Sequence, residues 1–244
     1  MASKKSTSLF ARAFRFLKRL FIWLFLLQFI YIVILKWVNP PVTITQLVSF
    51  VKGEGLKRDY VDADEMSAAA KLSVMAAEDQ LFPDHGGFDW KSIEKALEYN
   101  KRKPNRVRGA STISQQTAKN VFLWQGRSWV RKGLELYFTQ MIEWIWGKQR
   151  ILEVYLNVIE MGKGVYGIEA AARTYFKKPA SALNRNEAAQ IAACLPNPKK
   201  YTVKPLSSYV AARSGWVQRQ MNNLEGDADI QRLIYSRQKS INKK

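Results

Sequence analysis

The segment Glu78–Asp89 holds the side chains best suited to acid–base chemistry, because it contains four carboxylates and the single histidine of the chain, His85. The alanine-rich stretch before it predicts a helix that begins at the capping-box sequence Asp62–Glu65 and ends near Glu78. Pro83 and a glycine pair then force the chain to turn across the helix end. A partly buried carboxylate at such a helix end is a candidate general base, since burial raises its proton affinity. The alternative is a solvated helix end in which the histidine only caps a turn.

A second segment, Gly109–Asn120, has the composition of a helix N-terminus that binds an anion. Thr112 or Ser111 can cap this helix, and Gln115 and Lys119 lie one turn apart on one face. Hydroxyls, amides and a lysine near a helix N-terminus suit a phosphate group. An ordinary polar helix face would have the same composition, so both interpretations stay open at this point.

Charged residues at four-residue intervals mark a third segment. Arg127, Arg131 and Glu135 follow one face of a helix that is predicted to begin at Ser128. One interpretation is an ordinary series of salt bridges along the helix. The other is that Glu135 is a second functional carboxylate, which the two arginines hold in a cleft. The predicted buried stripe of this helix is Val130, Leu134, Phe138, Met141 and Ile145.

The aromatic segment Val121–Val130 precedes most of that helix and shows no clear period. It is either part of the core, which is the common location of aromatic residues, or an exposed apolar lip at a bilayer surface.

Helical patterns elsewhere predict a mainly α domain that positions these segments, without strands longer than a few residues. Asp89 can cap a helix whose predicted inner face carries Trp90, Ile93 and Leu97. Further helices are predicted at Lys148–Asn157, with Ile151, Leu152 and Tyr155 inward, at Ile168–Tyr175, after the capping box of Asn184 and Glu187, and at Ser207–Leu224.

The N-terminal region predicts a membrane anchor. Leu20–Leu35 is apolar except for Gln28, follows six basic residues, and reaches the roughly 20 residues of a spanning helix when its apolar flanks are included. The residues that follow it offer no small-residue cleavage site, so an uncleaved signal anchor is expected rather than a signal peptide or a buried core helix. The predicted organisation is a cytoplasmic basic tail at 1–19, a transmembrane anchor at 20–38, a connector at 39–60 and a domain outside the cytoplasm at 61–244.

Composition narrows the possible ligands. One cysteine, Cys194, and one histidine exclude an intrachain disulfide and metal sites built from several thiolates or imidazoles, so any metal would be a hard cation held by oxygens. The net charge of +19 favours anionic partners. Nucleic acid is not an expected partner of a domain that lies outside the cytoplasm.

Taken together, these segments resemble the peptidoglycan glycosyltransferase family, whose membrane-anchored members polymerise lipid II. The resemblance covers roughly residues 60 to 200 in five ordered blocks, and the conjunction is far more specific than any single motif. The matching residues are Glu78-Asp79, Phe82, His85, Gly87 and Asp89; Gly109, Ser111–Ile113, Gln115-Gln116 and Lys119-Asn120; Arg131-Lys132 and Glu135; Lys148, Ile151–Glu153 and Tyr155–Asn157; and Gly164-Val165, Ala170–Phe176 and Lys178. Ser114 stands where threonine is more usual in the family. Because no transpeptidase domain follows, the resemblance implies the monofunctional form without transpeptidase activity.

The resemblance implies a lysozyme-like, two-lobed helical domain behind one transmembrane helix. Glu78 would be the general base that activates a sugar hydroxyl for an inverting transfer, with release of polyprenyl diphosphate. Glu135 would be the second catalytic carboxylate and the ligand or organiser of a divalent cation, Mg²⁺ or Mn²⁺. The implied substrate-binding residues are Ser111, Gln115, Gln116, Lys119, Arg127 and Arg131. The implied supporting residues behind them are Asp79, His85, Asp89 and Asn120.

The implied location is the bacterial inner membrane, crossed once, with the catalytic domain in the periplasm. The expected partners are lipid II, the growing lipid-linked glycan and the membrane, and cell-division or elongation proteins are further candidates. A lytic hydrolase would also use a helix-borne glutamate, but it needs no diphosphate site. A non-catalytic binder of anionic lipid or polymer would depend on charge alone and would tolerate loss of Glu78.

Overall fold

The computed structural model of the chain describes residues 9–105, 107–126 and 128–235. The chain is mainly helical, with 65% helix and 3% strand, which confirms the predicted fold class. It divides into two compact units, Met1–Val38 and Asn39–Lys244.

The first unit contains one long apolar helix, α1 (Leu9–Ile34). Its stretch Phe10–Ile34 has 25 residues, and an 18-residue window within it has a mean hydropathy of 2.0, which by length and composition suffices to cross a membrane. The described helix includes part of the predicted basic tail, because arginine and lysine are good helix formers and do not interrupt it. The proposed boundaries of tail, anchor and connector stay a prediction.

The described residues of the second unit form ten α-helices and one three-stranded sheet. The helices are α2 (Ile44–Val51), α3 (Ala68–Glu78), α4 (Trp90–Arg102), α5 (Ile113–Phe122), α6 (Trp129–Ile145), α7 (Lys148–Val158), α8 (Ile168–Phe176), α9 (Arg185–Cys194), α10 (Ser208–Leu224) and α11 (Ala228–Tyr235). The strands are β1 (Lys57–Arg58), β2 (Glu160–Gly162) and β3 (Val165–Tyr166). The central strand is β3, which pairs parallel to β1 and antiparallel to β2, with Lys57 opposite Val165 and Glu160 opposite Tyr166.

Two groups of helices form the core of this unit. In one group α3 packs against α9, α10 and α11, and in the other α5 packs against α6 and α7. Leu72 and Met75 of α3 and Ile151 and Leu152 of α7 are buried, as the sequence predicts. Cys194 is also buried as expected, and burial raises the pKa of its thiol to about 12.

Side-chain caps confirm most of the predicted helix starts. Each capping side chain accepts a hydrogen bond from a backbone N–H in the first turn, which satisfies a donor that has no partner within the helix. The confirmed caps are Asp89 for α4, Thr112 for α5, Ser128 for α6, Asn184 for α9 and Ser207 for α10.

The predicted start of α3 is wrong. The capping box of Asp62 and Glu65 forms, but it closes only a single 3₁₀ turn, Ala63–Glu65. Met66 then adopts extended dihedral angles, φ −98° and ψ 130°, which end that turn. The helix begins afterwards, behind the Ser67 side chain, which accepts a hydrogen bond from the backbone of Ala70 at 3.1 Å.

Two predicted inner faces are also wrong. No residue of α4 is buried, and Trp90 is 68% exposed. On α6 the predicted stripe faces outward at Val130, which is 71% exposed, and the buried residues are Glu135, Thr139 and Ile142. The reason is that α5 and α7 pack on the side of α6 that carries this glutamate, whose charge is paired there. A periodic pattern shows where apolar residues lie on a helix but not where its neighbours are.

The aromatic segment Val121–Val130 contains both buried and exposed residues, so neither the core nor the exposed lip describes all of it. Leu123 is buried, and Phe122 stacks on Phe138 with ring centroids 4.6 Å apart. Trp129, further along the same segment, is 92% exposed.

Helix α2 lies in the segment that the sequence describes only as a connector. Thr43 and Gln46 form a capping box at its start. It buries polar side chains, Thr45, Gln46 and Ser49, and exposes apolar ones such as Phe50.

Candidate active site

Glu78 is the last residue of α3 and borders a cleft of about 800 Å³. The cleft lies between the end of α3, the helix α4, residues 107–112, the start of α5 and the helix α10. Its polar lining includes Glu78, Asp79, Asp89, Ser92, Lys95, Arg108, Ser111, Gln116 and Arg213. Five predicted site residues therefore meet at one cavity: Glu78, Asp79, Asp89, Ser111 and Gln116.

Glu78 has surroundings that suit a proton acceptor. Its side chain is half-buried, and its Oε2 accepts a hydrogen bond of 2.7 Å from Nε2 of Gln116. Burial raises the pKa of Glu78, while the hydrogen bond from Gln116 and the positive charges of Arg213 and Lys119 partly offset the rise. The neighbouring charge of Asp79 adds to it. No ion pair includes Glu78 in the described part of the chain, so this carboxylate can take up a proton at modest cost.

Asp79 and His85 form a buried pair directly behind the proposed base. Both oxygens of Asp79 lie near Nε2 of His85, at 3.0 and 3.1 Å. Nδ1 of His85 accepts a hydrogen bond from the backbone of Gly87 at 3.2 Å, so the proton of a neutral ring belongs on Nε2. Asp79 also accepts a hydrogen bond of 2.9 Å from the backbone of Ile113, the first residue of α5. The pair thus fixes the end of α3 against the start of α5.

The loop that carries His85 depends on a glycine. Gly87 has φ +97°, and a Cβ atom there would lie 2.9 Å from the side chain of Thr139. The Gly87 carbonyl accepts a hydrogen bond of 2.7 Å from Thr112 Oγ1, so the loop is also tied to the cap of α5.

Three polar residues predicted in the segment Gly109–Asn120 have different positions. Ser111 is exposed and lines the cleft. Gln115 is buried, and its Oε1 accepts a hydrogen bond of 3.0 Å from the backbone of Thr112, so its amide completes the capping box. Asn120 is buried further along the helix and donates a hydrogen bond of 2.8 Å to the Gln116 carbonyl.

A cluster of positive side chains surrounds Glu135 on α6. Glu135 is 3% exposed and accepts hydrogen bonds from Arg131 at 2.8 Å and from Lys132 at 2.6 Å. Nε of Arg131 is buried and has no hydrogen-bond partner within the described ranges. An unpaired buried donor in a cationic cluster fits an anionic ligand, which would supply the missing acceptor.

Lys119 of α5 lies close enough to both Glu78 and Glu135 to interact with their charges. Burial lowers the pKa of Lys119, the charge of Glu135 opposes this shift, and the charges of Arg131 and Lys132 add to it. Its ammonium group has no hydrogen bond or ion pair with any residue that the structure describes. Arg127, the other predicted cation, lies outside the described residues.

The residues around Glu135 do not fit a metal site made by the protein alone. Its two carboxylate oxygens accept hydrogen bonds from Arg131 and Lys132, one each. The described ranges hold no group of three or more His, Cys, Asp or Glu side chains that could bind a metal. Mg²⁺ requires several oxygen ligands, and one carboxylate that is already paired with two cations does not provide them.

Sequence reasoning missed two residues of the site. Arg213 of α10 lines the cleft, and its guanidinium lies 3.6 Å from the ring centroid of Trp216. Tyr155 of α7 was interpreted as scaffold, but its hydroxyl donates a hydrogen bond of 3.2 Å to Oε1 of Gln116. Tyr155 lies in a block that matches the family, but the contacts of neither residue follow from its local sequence, since both come from helices far from Glu78 in the chain.

Comparisons with known proteins give matches over most of the chain. The family model described as Transglycosylase matches residues 44–222. Two similar proteins, each named biosynthetic peptidoglycan transglycosylase, come from Escherichia coli strain Crooks and Escherichia coli O9:H4 strain HS. Each is 60% identical to this chain over 173 residues, which cover 71% of this chain and 72% of the relative.

Proposed function

Since the chain belongs to the transglycosylase family and is a peptidoglycan glycosyltransferase, we propose that it polymerises lipid II by inverting transfer, with Glu78 as the general base. The observation that carries this proposal is the position of Glu78: it borders a large cleft, its pKa is raised, and one oxygen is held by Gln116. The other oxygen can then accept the proton of an acceptor hydroxyl.

In the proposed reaction, the 4-hydroxyl of the acceptor N-acetylglucosamine gives its proton to Glu78. Its oxygen forms a bond to the anomeric carbon of the lipid-linked N-acetylmuramic acid, while the bond to the diphosphate breaks on the opposite face. The lipid diphosphate leaves with the bonding electrons, and the configuration of that carbon is inverted. A carboxylate with a raised pKa suits this step, because it accepts a proton more readily than an exposed glutamate does.

We propose that the cationic cluster stabilises the departing diphosphate. Lys119 and Nε of Arg131 supply donors that no described residue occupies, and Lys132 adds positive charge nearby. Such donors stabilise a transition state when they are held in place before charge develops. Glu135 holds Arg131 and Lys132 in their positions. The predicted contribution of Arg127 stays a prediction.

A divalent cation remains an expectation for this reaction, and Mg²⁺ or Mn²⁺ would supply further positive charge to a diphosphate. The contacts of Glu135 disfavour it as the ligand, so we propose that such a cation would arrive with the substrate. Replacement of Glu135 by Gln should then leave the Mg²⁺ concentration for half-maximal activity unchanged. A rise of about tenfold in that concentration would restore Glu135 as a ligand.

The setting is also a proposal. The apolar helix α1 would anchor the chain in the bacterial inner membrane by a single pass, with the N-terminus cytoplasmic and the second unit on the periplasmic side. The substrate and its product would be lipid-linked in that membrane, no transpeptidase activity is expected, and cell-division or elongation proteins are candidate partners. A lytic hydrolase is disfavoured by the cationic cluster, because glycan hydrolysis releases no diphosphate.

The test is polymerisation of labelled lipid II by the full-length protein in detergent, compared with Glu78→Gln. The wild type should form long glycan, and the variant should lose chain growth while its circular dichroism stays unchanged. A wild type that forms no glycan, or a variant as active as the wild type, would overturn the proposal. Binding without turnover would favour the non-catalytic alternative, and solubilisation of purified sacculi would favour the hydrolase.

A further inference from the structure

A hydrogen-bond chain runs from the protein core to the proposed base. Tyr155 of α7 is fully buried, and its hydroxyl donates to Oε1 of Gln116 at 3.2 Å. Nε2 of Gln116 in turn donates to Oε2 of Glu78 at 2.7 Å. Three helices, α7, α5 and α3, therefore meet at one side-chain amide.

The direction of this chain follows from what each group can donate or accept. An ionised carboxylate only accepts, so the amide must present its NH₂ group to Glu78. Its oxygen then faces Tyr155, whose hydroxyl must be the donor. Burial raises the pKa of Tyr155 well above its ordinary value, and the charges of Glu78 and Asp79 raise it further, so the hydroxyl keeps its proton.

The orientation of the Gln116 amide depends on this tyrosine. The only other contact of Nε2 among the described residues is weak, with the Ser111 carbonyl at 3.4 Å. Without the Tyr155 hydroxyl, Oε1 would lose its donor, and the amide could rotate to place its oxygen against the carboxylate of Glu78. That arrangement would repel the ionised base and disturb its position.

We propose that Tyr155 is a positioning residue for the transfer reaction. Acting through Gln116, it fixes the amide orientation that donates to one oxygen of Glu78 and leaves the other oxygen open to the acceptor hydroxyl. The inference rests on the proposed function, in which Glu78 is the general base.

The pH dependence of the reaction reports this role. The charged groups that act on Glu78 are Asp79 beside it, Lys119 of α5 and Arg213 of α10. Tyr155 of α7 and Cys194 of α9 are titratable neighbours whose raised pKa values keep them neutral. Replacement of Tyr155 by Phe leaves all three charges in place. The acidic limb is the fall of kcat/KM at low pH, where Glu78 becomes protonated. A shift of this limb in Tyr155→Phe therefore reports the loss of the hydrogen bond from the Gln116 amide to Glu78.

The test compares Tyr155→Phe with Tyr175→Phe in full-length protein. Tyr175 is a suitable control, because its hydroxyl also makes one hydrogen bond, to the Met161 carbonyl at 3.0 Å, and does not reach Gln116. Tyr155→Phe should lower kcat roughly tenfold with little change in KM, and should move the acidic limb of kcat/KM to higher pH. The control should keep the wild-type profile.

A double-mutant cycle separates positioning from packing. If Tyr155 acts through Gln116, the combination of Tyr155→Phe with Gln116→Leu should be no slower than Gln116→Leu alone. Fully additive losses, or an unmoved acidic limb in Tyr155→Phe, would overturn the inference. If Tyr155→Phe does not fold, the pH profile of Gln116→Leu tests the inference instead. The acidic limb of kcat/KM in that variant must also move to higher pH.

The two proposals can fail separately. A wild type without glycan synthesis, or an active Glu78→Gln, contradicts the proposed function. An active wild type with an inactive Glu78→Gln and an unchanged profile for Tyr155→Phe contradicts only the positioning role.

Discussion

Glu78 and Glu135 are both helix-borne glutamates of the second unit, but their surroundings differ in kind. Glu78 is half-buried at a cleft and accepts one hydrogen bond from a neutral amide. Glu135 is buried and paired with two cations. The first arrangement raises the pKa of the Glu78 carboxyl group, whereas in the second both carboxylate oxygens accept hydrogen bonds from cationic side chains. In the proposed function, one glutamate exchanges a proton and the other organises positive charge.

The positions of the nearby cations explain this division of roles. Arg213 and Lys119 act on Glu78 only through their charges, without an ion pair among the described residues. Arg131 and Lys132 contact Glu135 directly, at 2.8 and 2.6 Å. Direct contact holds Arg131 and Lys132 beside Glu135, whereas the more distant charges of Arg213 and Lys119 only partly offset the rise in the pKa of Glu78.

The largest expected difference between the two glutamates is in turnover. Glu78→Gln removes the proton acceptor and should lower kcat by about 10²- to 10⁴-fold, the usual contribution of a general base. Glu135→Gln should lower it only about tenfold, because Arg131 and Lys132 lose their orientation but keep their charge. Initial rates of glycan formation measure both values. Equal losses in the two variants would contradict the separate roles.

The second difference is in stability. Glu135→Gln leaves the Arg131 side chain, which is only 11% exposed, without its counter-charge and should lower the free energy of unfolding by about 3 kcal/mol. The melting temperature should fall by roughly 6–12 °C in a domain of this size. The matched control is Glu98→Gln, since the Glu98–Arg102 pair has the same four-residue spacing but side chains that are 59% and 76% exposed. That control should change stability by less than about 0.5 kcal/mol.

The third difference concerns pH. Because burial raises the pKa of Glu78, kcat/KM should fall as the pH drops below a midpoint that lies above the ordinary pKa of glutamate. Arg213→Gln removes a positive charge that lowers this pKa, so it should move the midpoint to still higher pH. Glu135→Gln should move it less, because Glu135 is not among the groups that act on Glu78. The measurement is kcat/KM as a function of pH for the wild type and both variants. A wild-type midpoint at the ordinary pKa of glutamate would exclude a buried base.

The smallest expected effect is a gain in stability on Glu78→Gln, opposite in sign to the loss expected for Glu135→Gln. The folded state binds the Glu78 proton more tightly than the unfolded state, so this group's contribution to stability falls as the pH rises from its unfolded to its folded pKa. At neutral pH, Glu78→Gln should therefore raise the melting temperature by roughly 1–4 °C. The gain should vanish at a pH low enough to protonate Glu78 in both states. Thermal unfolding at the two pH values tests it, and a lower melting temperature of the variant at neutral pH would contradict a raised pKa.

Local sequence patterns predicted the features that depend on neighbouring residues. Hydroxyl or carboxylate side chains before helices identified the caps at Thr112, Ser128 and Ser207, because a cap bonds to N–H groups two or three residues away. The long apolar run at the N-terminus indicated a spanning helix by length and composition alone. The ordered motifs also indicated the family that the comparisons confirm.

Packing between distant elements decided the rest. The sequence placed the buried face of α6 on its apolar stripe, whereas α5 and α7 cover the side that carries Glu135. Arg213 reaches the cleft only because α10 packs against α3, and Tyr155 reaches Gln116 only because α7 packs against α5. The sequence determined which segments become helices, where many of them begin, and that Glu78 ends one of them. Only the tertiary structure decided which side chains surround that glutamate, since its hydrogen bonds and neighbouring charges come from residues that are remote in the chain and adjacent only after folding.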